Sequence, residues 1–102
     1  MTAIEIRREG GDGGGRLVAR TGGREAELAY ARDAHNGRRQ IVARHTGVPD
    51  ELSGRGVGKA LVQHLVEQAR EEGAYIVPIC SFVRAMLERR RDWRDVLDPG
   101  FS

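Results

Sequence analysis

The chain is 102 residues long, 31% of them charged and 5% aromatic, with a formal net charge of +2. That length makes one domain, residues 1–102, with a modest aliphatic core and no room for a deep enclosed cavity. Mixed charge argues against a nucleic-acid partner, the single cysteine excludes an internal disulfide, and no apolar run approaches the ~18 residues of a membrane span.

In TAIEIRREGG, Ile4 and Ile6 alternate with polar residues, as in a short edge strand. Glycines crowd GGDGGG at 10–15, which reads as a flexible turn, so residues 1–15 are an edge strand and a Gly-rich turn. RLVART is the next strand and Gly22-Gly23 a hairpin turn. In REAELAYARD, Ala26, Leu28 and Tyr30 share one face of a further strand. Asn36-Gly37 is a strong hairpin signal, and RRQIVARHTGV follows as the third strand of an antiparallel meander.

The period then changes. Val57, Leu61, Val62, Leu65, Val66 and Ala69 recur at helical spacing, and Gly73 ends that helix. AYIVPIC is a short apolar strand expected to be buried on both faces. Ser81 stands as N-cap of a second helix with Phe82, Val83, Met86 and Leu87 on one side, and Pro99-Gly100 stops helical structure. A strand-helix-strand unit puts the last strand beside the third.

Gly54, Gly56 and Gly58 precede the long helix. A Walker A loop fails here: Ala60 follows Lys59 where a magnesium-binding hydroxyl is needed, and Ser53 stands in place of the first glycine. A dinucleotide fingerprint fails at its third glycine, which is Lys59, and a meander is not a doubly wound sheet. Glycines of this kind also serve tight helix packing.

SGRGVGKAL, with HTGVP before it and CSF after it, resembles the Gcn5-related N-acetyltransferases, and within them a small single-domain subfamily. The resemblance spans roughly residues 16–98. It implies an α+β protein with a minimal acyl-coenzyme A N-acyltransferase fold: an antiparallel meander, then helix-strand-helix, with the third and last strands splayed apart. It implies acetyl-coenzyme A as co-substrate, no metal, and transfer of the acetyl group to a primary amine. The coenzyme's diphosphate would sit on the bare amides at the helix mouth, where the helix dipole is positive. Gly54, Arg55, Gly56, Val57, Gly58 and Lys59 would bind it, with Arg55 and Lys59 as rim charge. The backbone from Thr46 to Val48 would pair with pantetheine, and the Val48 amide would stabilise the oxyanion.

Three side-chain roles follow. Cys80, at the entrance to the second helix, can protonate the leaving thiolate or carry the acetyl group itself; otherwise it is a buried structural thiol. His45 alternates with Ile41 and Ala43, which puts it on their sheet face, and an imidazole suits a general base. His64 reads as solvent-facing and His35 as part of a turn. Against the subfamily pattern, Gly47 stands where glutamate is usual, Ser53 replaces arginine or glutamine, and Ser81 replaces proline.

The helices that wall the acceptor pocket in larger relatives are missing, so an open acceptor side is expected, suited to a protein tail or a polyamine. A module that holds coenzyme A or a protein partner with little turnover is the alternative. The arginines at 84, 89, 90, 91 and 94 are interrupted by Asp92 and Asp95 and read as a solvated face rather than a nucleic-acid surface. Soluble and cytoplasmic is the expected setting, since MTAIEIRREGG lacks the apolar segment of a signal peptide.

Overall fold

The computed structural model describes residues 4–101; Thr2 and Ala3 of the expected first strand, and terminal Ser102, lie outside them. Five strands form one sheet in the order β1 (Glu5–Gly11), β2 (Gly14–Thr21), β3 (Arg24–His35), β4 (Arg38–Gly47) and β5 (Ala74–Pro78). The first four make the antiparallel meander. Helix α1 (Val57–Glu72) then carries the chain over, and β5 joins parallel beside β4, as the crossover rule requires. Helix α2 (Ser81–Arg89) and a 3-10 segment, Arg91–Val96, follow.

Both helices serve one core. Leu61, Val62, Leu65 and Val66 of α1 and Val83 and Leu87 of α2 are fully buried against Leu17, Leu28, Ile41 and Ile76 of the sheet. Each such side chain contributes about 1.5–3 kcal/mol relative to exposure. Trp93, Val96 and Leu97 extend the cluster, and Leu97 bridges Ile76 in parallel beyond β5. That cover explains why Ile76, Val77 and Pro78 are all buried.

The other face of the meander bears no helix among the described residues. It is covered by charge: Arg7 pairs with Glu9 and Glu25, and Arg16 pairs with Glu9 and Glu27. Val18 lies on this face between its cross-strand neighbours Arg7 and Glu27 and is nevertheless buried.

Three expectations shift. The turn placed at 10–15 narrows to Asp12 and Gly13, because Gly10–Gly15 and Gly11–Gly14 pair in the β1–β2 ladder. A Cβ at Gly15 would overlap the Glu9 carbonyl, so these glycines let two backbones close up. The α2 N-cap is Cys80, and Ser81 is the first helical residue. His64 is half-buried rather than solvent-facing, and accepts a hydrogen bond from Arg8 Nε at 3.0 Å. Burial, then the Arg8 charge, holds the His64 pKa below its ordinary value.

Candidate active site

The β4–β5 ladder runs from Arg39–Ala74 to Ala43–Pro78 and stops. One more backbone bond, from Cys80 N to Ala43 O at 2.9 Å, closes the junction. Beyond it β4 stays with β3 while the chain after β5 turns into α2, so the two part as expected. At the parting, Thr46 Oγ1 and Cys80 Sγ are 3.4 Å apart. Burial pushes the Cys80 thiol up, but the Thr46 hydroxyl, the amides of Val83 and Phe82, and the Thr46 amide outweigh it and hold the thiol below its ordinary value.

A β-bulge sets which side chains point there. Ala29 pairs with His45 and Tyr30 with Ala43, so Arg44 is the extra residue. One added residue reverses the alternation that follows. Thr46 therefore shares the core face with Leu28, opposite which it pairs, and His45 falls on the helix-free face, exposed. The expectation that His45 sides with Ile41 and Ala43 is corrected by this bulge.

Past β4, the Val48 amide donates to no protein group among the described residues, and Pro49 has no amide hydrogen to offer. The loop then climbs through a 3-10 turn, Asp50–Leu52, to the mouth of α1. Gly56 is the α1 N-cap at φ 76°, a left-handed conformation that L side chains rarely adopt, and no side chain caps the helix. The first helical bond runs from Ala60 N to Gly56 O, so the amides of Val57, Gly58 and Lys59 precede it without protein acceptors. No acid occupies the first turn. Arg55 and Lys59 are exposed and take no carboxylate partner among the described residues.

This mouth opens into a cleft of about 290 Å³ formed by Ser53, Gly54 and residues 56–59 together with Val48, Leu52 and Phe82; Arg55 is not in its lining. Gly58 is there for space: a Cβ on it would stand 2.6 Å from Phe82 Cζ. Phe82 and Ile79 are the large apolar residues left exposed, at 40% and 62%, flanking Cys80 in sequence. Phe82 and Leu52 were not legible as site residues, because only the fold brings α2 and the 3-10 turn to the helix mouth.

A second cleft, of about 430 Å³, lies on the other side of Val48 and is lined by Arg16, Val18, Glu25, Glu27, Gly47 and Pro49, among others. Val48 borders both. The structure thus pairs Thr46 with Cys80, sets Val48 in one cleft with Gly54, Gly56, Val57, Gly58 and Lys59, and leaves Arg55 outside that lining and His45 on the far face beside Gly47. Three of the five arginines of α2 and its continuation go to acids and carbonyls: Arg84 to Glu88, Arg90 to Asp92, and Arg94 to the Glu88 carbonyl.

A mixed five-stranded sheet opened beside a bare helix mouth defines the acyltransferase class of α+β folds. A family model described as GCN5-related N-acetyl-transferase matches residues 16–96, and the chain belongs to that family. The NMR solution structure of a GCN5-like candidate N-acetyltransferase from Staphylococcus aureus is similar to it, at 37% identity and a TM-score of 0.68, over 91% of this chain and 86% of that one. No curated protein sequence matches it. Members of the family generally take acetyl-coenzyme A as co-substrate and an amine as acceptor. No helix among the described residues is long and apolar enough to cross a membrane.

Proposed function

We propose that this protein transfers the acetyl group of acetyl-coenzyme A to a primary amine in the cytoplasm. The observation that carries the reading is the run of unpartnered amides at the α1 mouth, opening into a cleft that ends at the free Val48 amide. The coenzyme's diphosphate takes the amides of Val57, Gly58 and Lys59, with Arg55 and Lys59 as rim cations. Gly54 and Gly56 keep that rim free of side chains. Pantetheine lies along the backbone from Thr46 to Val48, under Phe82.

The thioester carbon then stands beside Val48, whose amide donates to the oxygen as it gains charge. The amine's lone pair forms the new C–N bond and the C–S bond breaks with its electrons on sulfur. Cys80, hydrogen-bonded by Thr46, supplies the proton to that thiolate and recovers one from the nitrogen as the amide forms. A proton acceptor on the amine's side completes the set, and His45 is the residue that the sequence nominates.

Mixing the protein with acetyl-coenzyme A and a panel of amines, and following free thiol, tests the reading. Steady release with an amine is the expected result. The bare position at Gly47 favours a second reading, a coenzyme-holding module with little turnover. That module would give a raised melting temperature with coenzyme A and no release.

A further inference from the structure

Acetyl transfer needs a group that takes a proton from the incoming ammonium, and three titratable side chains, Glu25, Glu27 and His45, stand around Gly47 and Val48. Resting on the reading above, we infer that Glu27 is that group, and that the acceptor is a cationic primary amine entering by the 430 Å³ cleft on the helix-free face.

Val48 borders both clefts, so an acyl group held beside its amide from the loop side is reachable from the Glu27 side. Glu27 is the cross-strand partner of Gly47, the residue directly before Val48. Gly47 carries no side chain, and a Cβ placed there would lie 3.9 Å from Glu27 Cγ and 3.3 Å from His45 Nε2. The gap above Gly47 is therefore walled by a carboxylate and an imidazole. Glu27 lines the cleft and His45 does not. Glu25 lines it too, but pairs cross-strand with Arg20, a strand position further from Gly47, and meets Arg7 at 3.5 Å.

Glu27 is also oriented. Arg16 Nη1 holds its Oε2 at 2.6 Å and is itself braced on Glu9 at 2.8 Å, while Oε1 takes no partner among the described residues. One oxygen is anchored and the other is open to an ammonium. The ammonium gives one proton to Glu27, which passes it to solvent. The freed lone pair bonds the thioester carbon, the C–S bond breaks with its electrons on the coenzyme sulfur, Cys80 protonates that thiolate, and the nitrogen's second proton restores Cys80. A carboxylate in this role also selects the substrate class, since it attracts an ammonium and repels an acidic acceptor.

The test uses the full chain with spermidine and with a lysine-containing peptide, and measures acetyl-coenzyme A affinity separately. Glu27→Gln is expected to lower kcat/KM for the amine about 100-fold, the usual scale for a general base, with acetyl-coenzyme A affinity within about twofold of the parent. His45→Gln should cost less than Glu27→Gln. Adding Gly47→Glu to the Glu27→Gln chain should restore most of the loss, because that carboxylate enters the same gap. Arg16→Met, which removes the anchor on Oε2 but leaves the carboxylate, should lower kcat/KM less than Glu27→Gln.

Two results overturn the inference while leaving acetyl transfer intact: Glu27→Gln turning over like the parent, or Arg16→Met falling as far as Glu27→Gln. A parent that binds acetyl-coenzyme A yet acetylates neither amine favours the coenzyme-holding module and overturns this inference with the transfer reading. A parent that does not bind acetyl-coenzyme A overturns the transfer reading itself, and this one with it.

Discussion

The Thr46 hydroxyl and the Cys80 thiol face each other at 3.4 Å where β4 and β5 part. Burial raises the thiol's pKa, and their contact is the largest of the hydrogen bonds that lower it. Thr46→Val keeps the side chain's shape and removes that bond. Its Cys80 should alkylate with a pH midpoint above the parent's, moving toward the ordinary 9.0. An unmoved midpoint in the iodoacetamide rate profile would show that the backbone amides of Val83, Phe82 and Thr46 hold the thiol without the hydroxyl.

A thiol that donates a proton must be protonated, so turnover should fall as pH rises through the lowered Cys80 pKa. A thiolate that carries the acetyl group would give the opposite slope, rising with pH through the same value. Cys80→Ala should therefore lose turnover while binding acetyl-coenzyme A as the parent does. Equal rates in the two chains would take Cys80 out of the mechanism.

The glycines of the loop have separable costs. Nothing lies within 4 Å of a Cβ on Gly56, yet its φ is 76°. Gly56→Ala should destabilise by about 1–2 kcal/mol through backbone strain alone. Gly58→Val meets Phe82 instead, and must turn that ring outward. It should cost about 1–3 kcal/mol, the scale of an overpacked contact, and weaken acetyl-coenzyme A binding as well. Urea unfolding separates the two from a common parent. A Gly58→Val chain as stable as the parent, with the ring unmoved, would contradict the packing role.

Periodicity made the meander, the long helix and the neighbour of β5 legible, because each buries a face with a regular repeat. The loop glycines and Cys80 were legible as a motif with ordered neighbours. What escaped the sequence was set by single-residue irregularities and by long-range approach. The bulge at Arg44 reversed the face of His45, and no local signal marks it. Glu27 gained its place only through cross-strand pairing with Gly47, twenty residues on along the chain. Likewise the Gly10–Gly15 pairing looks like a loop to any composition rule, since strand pairing between glycines carries no side-chain pattern.

Arg32 binds Glu72 through two hydrogen bonds, at 3.0 and 2.8 Å, and tethers the end of α1 to β3. The Arg32 bonds lead the causes that lower the Glu72 pKa, with Gln68 adding to them against burial. A carboxylate with a depressed folded pKa stabilises above its unfolded value and loses that contribution as pH falls through the folded one. Glu72→Gln should thus cost about 1 kcal/mol at pH 7 for so half-exposed a pair. The difference should vanish on acidifying below the ordinary 4.5. A gap that stays constant from pH 7 to pH 3 would assign the loss to packing instead.

Asp98 holds the last segment against the sheet from within. Its own amide donates to Ile76 O at 2.9 Å, which extends β5 on its free side. Its carboxylate, 2% exposed as a residue, accepts from Gln40 Nε2 at 2.9 Å and from the Gly100 amide at 2.9 Å, and Arg38 lies 3.6 Å away. Gln40 is itself buried on β4. Asp98→Ala would leave the Gln40 amide and the Gly100 N–H without an acceptor, at about 1–3 kcal/mol for a buried unpaired group. Asp98→Asn keeps the shape and one acceptor oxygen, and should cost less than the alanine. Because the bonds join residues 40 and 98, the loss should appear as a lower urea midpoint with an unchanged slope. An Asp98→Ala chain within about 0.5 kcal/mol of the parent, the spread of ordinary surface substitutions, would mean that the tail is held by Trp93, Val96 and Leu97 alone.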